Sequence, residues 1–259
     1  MKRKVMLIRF FLLTLVLNIS FSFISGKSYA ISAEEIIERV DDVRGPGKPF
    51  KLNLEIVDFK KDKEARRMKL EIFVKGKEQT LKEFKSLSKS TYPPENRGTI
   101  LLYSQGDLWI YIPKVRRPIR ISPRQRLIGQ VANGDVIGVN FADDYDSELV
   151  SEEVLDGKKC YVLELKARRE SVTYHRVKLW VDKSNFHPLM TEHYGFSGRL
   201  IKTGYYRTFA ESLGKERPKE LEIVDAINST LRTKMFYSNY QLKKLSDRMF
   251  QKDYLKHIR

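Results

Sequence analysis

From Leu52 onward, apolar residues recur at every second position, and that period commits most of the chain to β-strands. Leu52, Leu54 and Ile56 alternate with Lys51, Asn53 and Glu55. Met68, Leu70, Ile72 and Val74 alternate with Lys69, Glu71 and Lys75, and Val177, Leu179 and Val181 repeat the pattern. Successive side chains of a strand point to opposite faces, so each run is apolar on one face and charged on the other. Gly76 marks a turn, residues 79–87 are more ambiguous, and Gln105-Gly106-Asp107 reads as a hairpin between 100–103 and 108–112. Asp156-Gly157 is a two-residue type I′ candidate between 149–155 and 161–167. Ser197-Gly198 separates 193–196 from 200–209, and 221–225 and 231–240 complete a set of about ten strands. Short turns between consecutive strands predict an antiparallel meander rather than βαβ units. A large sheet with one apolar face must curl on itself or be covered.

Three segments are candidates for the cover. Ser32-Ala33-Glu34-Glu35 reads as a capping box ahead of a short amphipathic helix bearing Ile36, Ile37 and Val40, which should stop at Gly45-Pro46-Gly47. Residues 122–144 hold Gly129, Gly134 and Gly138 among Val131, Val136, Ile137 and Val139 without a clean period, and long irregular insertions in β-proteins are often functional. The C-terminus returns to a helical pattern, with Ser246-Asp247 as cap and Met249, Phe250 and Leu255 behind it.

The first thirty residues read as a cleaved secretory signal: Lys2, Arg3, Lys4 and Arg9, an apolar run over 10–24, then Ser28-Tyr29-Ala30. Cleavage near Ala30 leaves one domain over 31–259, exported to a bacterial periplasm. No Cys follows the apolar run, so the pattern is not a lipobox. Cys160 is the single cysteine and cannot form an intramolecular disulfide, so apolar burial must hold the fold in an oxidising compartment. The formal charge is +16, with five of the basic residues in the leader. An exported basic protein meets anionic lipid and envelope polymers rather than nucleic acid.

No enzyme motif is present. His175, His187, His193 and His257 are scattered, and there is no His-Glu-x-x-His, Gly-x-Ser-x-Gly or phosphate-binding glycine loop. On one strand, His187 and His193 would stand about 20 Å apart at roughly 3.3 Å per residue, too far to share a metal. Asp143, Asp144 and Asp146 lack the spacing of a calcium loop and read as a solvated turn. No catalytic residue, metal or cofactor is therefore expected.

The more informative run is Asp107-Leu108-Trp109-Ile110-Tyr111-Ile112-Pro113, aromatic on one side and aliphatic on the other. Alternation alone does not say which side turns inward. The run leads into Lys114, Arg116, Arg117, Arg120, Arg124 and Arg126 with no acid among them. Aromatics followed by cations suit a membrane interface or the mouth of a lipid pocket. Leu52, Leu54, Leu70, Ile72, Trp109 and Tyr111 are the candidate ligand-binding wall, and Arg116, Arg117, Arg120, Arg124 and Arg126 a candidate basic rim.

Trp109-x-Tyr111-x-Pro113, Arg117-x-x-Arg120-Ile121 and Arg126 resemble the outer-membrane lipoprotein-sorting family, the LolA-like periplasmic carriers. Leu245-Ser246-Asp247-Arg248-Met249-Phe250 with Tyr254-Leu255 is similar to that family's ending, while Asn140-Phe141-Ala142-Asp143-Asp144-Tyr145 only loosely matches its acidic-aromatic segment. The resemblance implies a half-open β-barrel closed by helices, around an apolar cavity for acyl chains. It implies a monomeric carrier of lipoprotein or lipid, with a membrane surface or an inner-membrane transporter as partner. A lipid- or lipoprotein-sensing module signalling to a membrane partner, and an enzyme acting on an envelope polymer, are the competing readings.

Overall fold

A computed structural model describes residues 31–75, 84–137 and 140–258. The expected leader, the turn at Gly76, residues 79–83, and Gly138 with Val139 lie outside the described residues. The chain opens with α1 (Ala33–Arg44), where Ser32 Oγ accepts from the Glu35 amide at 3.1 Å. Glu35 does not complete the capping box through its side chain; it pairs with Arg39 at 2.7 Å instead. The strands that follow are β1 (Phe50–Lys60), β2 (Lys63–Lys75), β3 (Lys85–Tyr92), β4 (Ile100–Ser104), β5 (Asp107–Tyr111) and β6 (Pro118–Ile121). The insertion carries β7 (Arg126–Ile128), β8 (Val131–Ala132), α2 (Asn133–Val136) and α3 (Phe141–Asp144). Then come β9 (Tyr145–Leu155), β10 (Lys158–Ala167), β11 (Arg176–Asp182), β12 (Pro188–Tyr194), β13 (Leu200–Ser212), β14 (Lys215–Asp225) and β15 (Leu231–Leu242).

Thirteen strands form one antiparallel sheet in the order β6-β5-β4-β3-β2-β1-β15-β14-β13-β12-β11-β10-β9, while β7 and β8 pair separately. The meander is therefore real, mainly β, and longer than alternation alone shows. Strand β3 (Lys-Ser-Leu-Ser-Lys-Ser-Thr-Tyr) escapes a hydrophobicity reading because buried Ser86, Ser88 and Ser90 fill the face it shares with Leu70, Ile72 and Val74, and Leu87 alone marks the other. Asp156-Gly157 and Gln105-Gly106 hold both residues at positive φ, as type I′ turns require. Lys61-Asp62 makes the same turn without a glycine (φ 48° and 63°), so no sequence signal marks it.

The sheet curls. Leu108 of β5 and Ile223 of β14 join one core cluster with Leu54, Ile56 and Ile72, although several strands separate them in the sheet order. The concave face is covered in two parts. Ile36, Ile37 and Val40 of α1 pack on Leu163, Leu165, Val177 and Leu179. Ile128, Val131 and Val136 of the insertion pack on the β1–β2 side. Gly129 (φ +54°) lets that hairpin approach the sheet: a Cβ there would lie 2.2 Å from Asp58 Oδ1 and Thr233 Oγ1. The convex face has its own cover. The expected C-terminal helix is two 3₁₀ segments, Asp247–Phe250 and Lys252–His257, which bury Leu245, Phe250 and Leu255 against Phe73, Leu87, Ile100 and Leu102. Cys160 is a buried free thiol on β10, its pKa raised by burial.

Candidate functional site

Between the concave sheet and its cover lies a cavity of about 110 Å³. One wall is apolar: Phe50, Leu52, Leu54, Ile72 and Val74 from β1 and β2, with Ile223 from β14. These face inward because alternation fixes them on the concave side of strands whose other face carries Lys51, Asn53, Glu55 and Glu71. The rest of the lining is polar and aromatic: Arg44, Asp135, Tyr174, His193 and Tyr206, with Tyr237 of β15 beside Leu54.

The polar wall is tied together by buried contacts. Lys202 Nζ donates to Asp135 Oδ2 at 2.5 Å and to the Gln130 carbonyl at 2.9 Å. Asp135 also accepts from the Ala132 amide (2.7 Å) and the Tyr174 hydroxyl (2.9 Å). Burial raises the Asp135 pKa, but Lys202 and the hydrogen bonds outweigh it and hold the carboxyl below its usual range. Burial lowers Lys202, with Asp135 opposing. Burial, reinforced by the Lys202 charge, drives His193 down to about 3, so its ring is neutral, and Nε2 lies 3.0 Å from Thr191 Oγ1.

At the other end of the cavity, Asp41 of α1 accepts from the Ala142 amide of α3 at 2.9 Å and from Arg44 at 3.1 Å. Burial pushes this carboxyl up to about 6 against the pull of Arg44. The Arg44 guanidinium stacks over Phe141 at 4.3 Å. Arg217 of β14, itself buried, donates to the Asp42 carbonyl at 2.8 Å and so satisfies the end of α1. The parts of the concave cover are thus pinned to each other through Asp41 and to the sheet through Arg217 and Lys202.

Of the candidate wall, Leu52, Leu54 and Ile72 line the cavity, and Leu70 is buried in the same cluster without lining it. Trp109 and Tyr111 lie on the other face of the sheet. Trp109 pairs across from Leu102, and both aromatics pack in the convex cluster with Phe250 and Leu255. Leu108 and Ile110 take the concave side of β5.

The candidate basic rim divides. Arg116 and Arg117 are exposed in the turn between β5 and β6. Arg120 pairs with Asp107 at the opposite end of that hairpin, so an acid outside the basic run offsets it. Arg124 lies 4.4 Å over the Phe196 ring, and Arg126 borders a groove shared with Gln130 and Phe196. The acidic cluster forms ion pairs, Asp144 with Arg169 and Asp146 with Arg168, and no group of metal-ligating side chains occurs among the described residues.

The sequence reading missed Asp135, Lys202, His193, Asp41 and Arg44. Lys202 occupies an inward position of β13 beside Gly204 and Tyr206, and a lone lysine in a mixed strand gives no signal of burial. Arg44 reads as an ordinary cation in a last helical turn. Asp41 had one clue: it falls one residue after Val40 on the edge of the apolar stripe of α1.

A family model described as "-like: Uncharacterized protein" matches residues 82–257. No curated protein matches the chain. Among solved structures, a LolA superfamily protein from Nitrosomonas europaea, NE2245, is 40% identical, with 87% of this chain and 100% of that chain covered and a TM-score of 0.79. A DUF1329 family protein from Desulfovibrio piger is 22% identical, covering 86% and 97%, with a TM-score of 0.74. A domain from Vibrio parahaemolyticus described as an outer membrane lipoprotein-sorting protein domain is also 22% identical, covering 86% and 98%, with a TM-score of 0.73.

Proposed function

The chain belongs to the LolA superfamily, and from that premise we propose that it is a periplasmic carrier which takes acyl chains of a lipoprotein or lipid into the concave cavity. The observation that carries the reading is a cavity with an apolar wall beneath a cover fixed by polar pins. A void of about 150 Å³ holds one benzene, and ligand pockets run to roughly 300–1,000 Å³. The present cavity, about 110 Å³, is too small for an acyl chain, and on this reading it is the closed state. Cargo enters when α1 and the insertion lift from the sheet.

Leu52, Leu54 and Ile72 then contact the chains, with Leu70 as the floor beneath them. Trp109 and Tyr111 support that wall from the convex side. Residues 1–30 serve as the export signal, and 31–259 act as one non-catalytic domain. A monomer exchanging cargo with a membrane surface or an inner-membrane transporter needs no cofactor. Protein taken from the native envelope, extracted with organic solvent and examined by mass spectrometry, should release acyl lipid. A photoreactive fatty acid should label peptides containing Leu52, Leu54 or Ile72. Label confined to other surfaces, with no co-purified lipid, would sink the reading.

A further inference from the structure

One end of the sheet gathers exposed apolar tips and cations. The turn after β12 puts Phe196 at its tip, 58% exposed, and Ile201 follows at 45%. The turn between β14 and β15 places Ile227 outward at 75%. These turns are neighbours: the Ala226 amide donates to the Ile201 carbonyl at 3.1 Å. The second turn adjoins the β1–β2 turn through Lys61 N to Thr230 O at 3.2 Å. The β1–β2 turn adds Lys60, Lys61 and Lys63, all exposed, and the first turn adds exposed Arg199.

The acids nearby are occupied. Asp62 pairs with Arg232. Asp225 Oδ1 accepts from the Ile227 and Asn228 amides at 3.0 and 2.9 Å and holds that tip in place. Arg124 stacks on Phe196 from the insertion side. The result is a cationic surface from which two large apolar side chains protrude.

We propose that this end of the sheet docks on an anionic phospholipid bilayer, with Phe196 and Ile227 entering the interfacial layer and Lys60, Lys61, Lys63 and Arg199 meeting the head groups. Charge complementarity selects an anionic partner. The protruding apolar tips select a bilayer over a soluble polyanion, which would satisfy the cations but leave Phe196 and Ile227 in water. The proposal deepens the carrier reading by naming the face that meets the membrane.

The test is co-sedimentation of the full-length mature protein with vesicles of phosphatidylglycerol and phosphatidylcholine, against vesicles of phosphatidylcholine alone, at low and high salt. The wild type should prefer the anionic vesicles and lose affinity with salt. Lys61→Gln with Lys63→Gln should weaken binding about 25-fold at low salt, near fivefold per cation. Phe196→Ser with Ile227→Ser should weaken it by an order of magnitude or more at either salt concentration. Both variants should keep the wild-type circular dichroism spectrum and the wild-type affinity for a fluorescent fatty acid. Absence of wild-type binding to anionic vesicles, or unchanged affinity in both variants, overturns the proposal. So does a serine variant that binds vesicles and dextran sulfate as tightly as wild type while the lysine variant loses both, since the surface would then be a polyanion site. If the fatty acid fails to bind the wild type while the vesicle results hold, the carrier reading fails and the docking surface stands.

Discussion

The same sheet is covered twice, and the two covers differ in how deeply their polar contacts are buried. On the convex face, the C-terminal segment buries Leu245, Phe250 and Leu255 against Leu87, Ile100 and Leu102, and Asp247 pairs with Lys75 and Lys85 at its exposed rim. On the concave face, α1 and the insertion also bury aliphatics, but Asp41, Arg217, Asp135 and Lys202 fix their positions, and a void lies beneath. Ion pairs at a solvated rim add little, so apolar burial does most of the holding on the convex side. Polar pins are made or broken as units, and that suits a cover with two states. On the carrier reading, opening must break the buried pins of the concave cover and can leave the convex cover in place.

The largest effects should come from breaking each cover at its strongest point. Lys202→Met leaves Asp135 buried without its counter-ion and should destabilise by about 3–5 kcal/mol in chemical denaturation, whereas adding Asp135→Leu should recover most of that loss. In the double variant the fatty acid should enter faster than in wild type. Phe250→Ala should destabilise by roughly 3–5 kcal/mol through the cavity it leaves. It should not alter fatty-acid entry into the folded protein. An equal change in entry for both would erase the distinction between the covers.

A smaller and sharper test is pH. His193 has a folded pKa of about 3, below its unfolded value near 6.5. Its stabilising contribution is present above pH 6.5 and is lost as pH falls. Asp41 has a folded pKa of about 6, above its unfolded value near 3.8. Its contribution is present below about pH 4 and is lost as pH rises through 6. Between pH 4 and 6 the two slopes oppose each other, each up to about 1.4 kcal/mol per pH unit. His193→Gln should therefore expose a stability that falls with rising pH, and Asp41→Asn one that rises. Denaturation curves at pH 4, 5 and 6 decide it, and parallel curves for wild type and both variants would refute the assignment. The smallest effect belongs to Arg120→Gln. This exposed pair with Asp107 should contribute within 1 kcal/mol, with no change in vesicle binding.

The concave apolar wall was legible because β1 and β2 are polar on one side, so Leu52, Leu54 and Ile72 had only one direction to face. The Asp156-Gly157 turn was legible because its backbone requires φ > 0. The direction of Trp109 was not, because β5 is covered on both sides and both of its faces are apolar. The polar pins were hidden for another reason. Lys202 and Asp135 are 67 residues apart in sequence, and only the curl of the sheet brings them together. The basic run reads as a unit because its six cations fall between 114 and 126 with no acid among them, yet strand pairing sends Arg117 and Arg120 to different ends of one hairpin.

The sheet ends at β6 on one side and β9 on the other, and these two edges do not pair with each other. In a closed barrel, strand number and stagger fix the radius, and widening would tear a ladder of hydrogen bonds. Here the circumference has a seam. Curvature can relax by a few degrees at each of many strand pairs while every ladder stays intact, and the small changes add across the sheet. On the carrier reading, the void of about 110 Å³ is then one setting of an adjustable vessel, able to fit guests of different girth at little cost in backbone bonding.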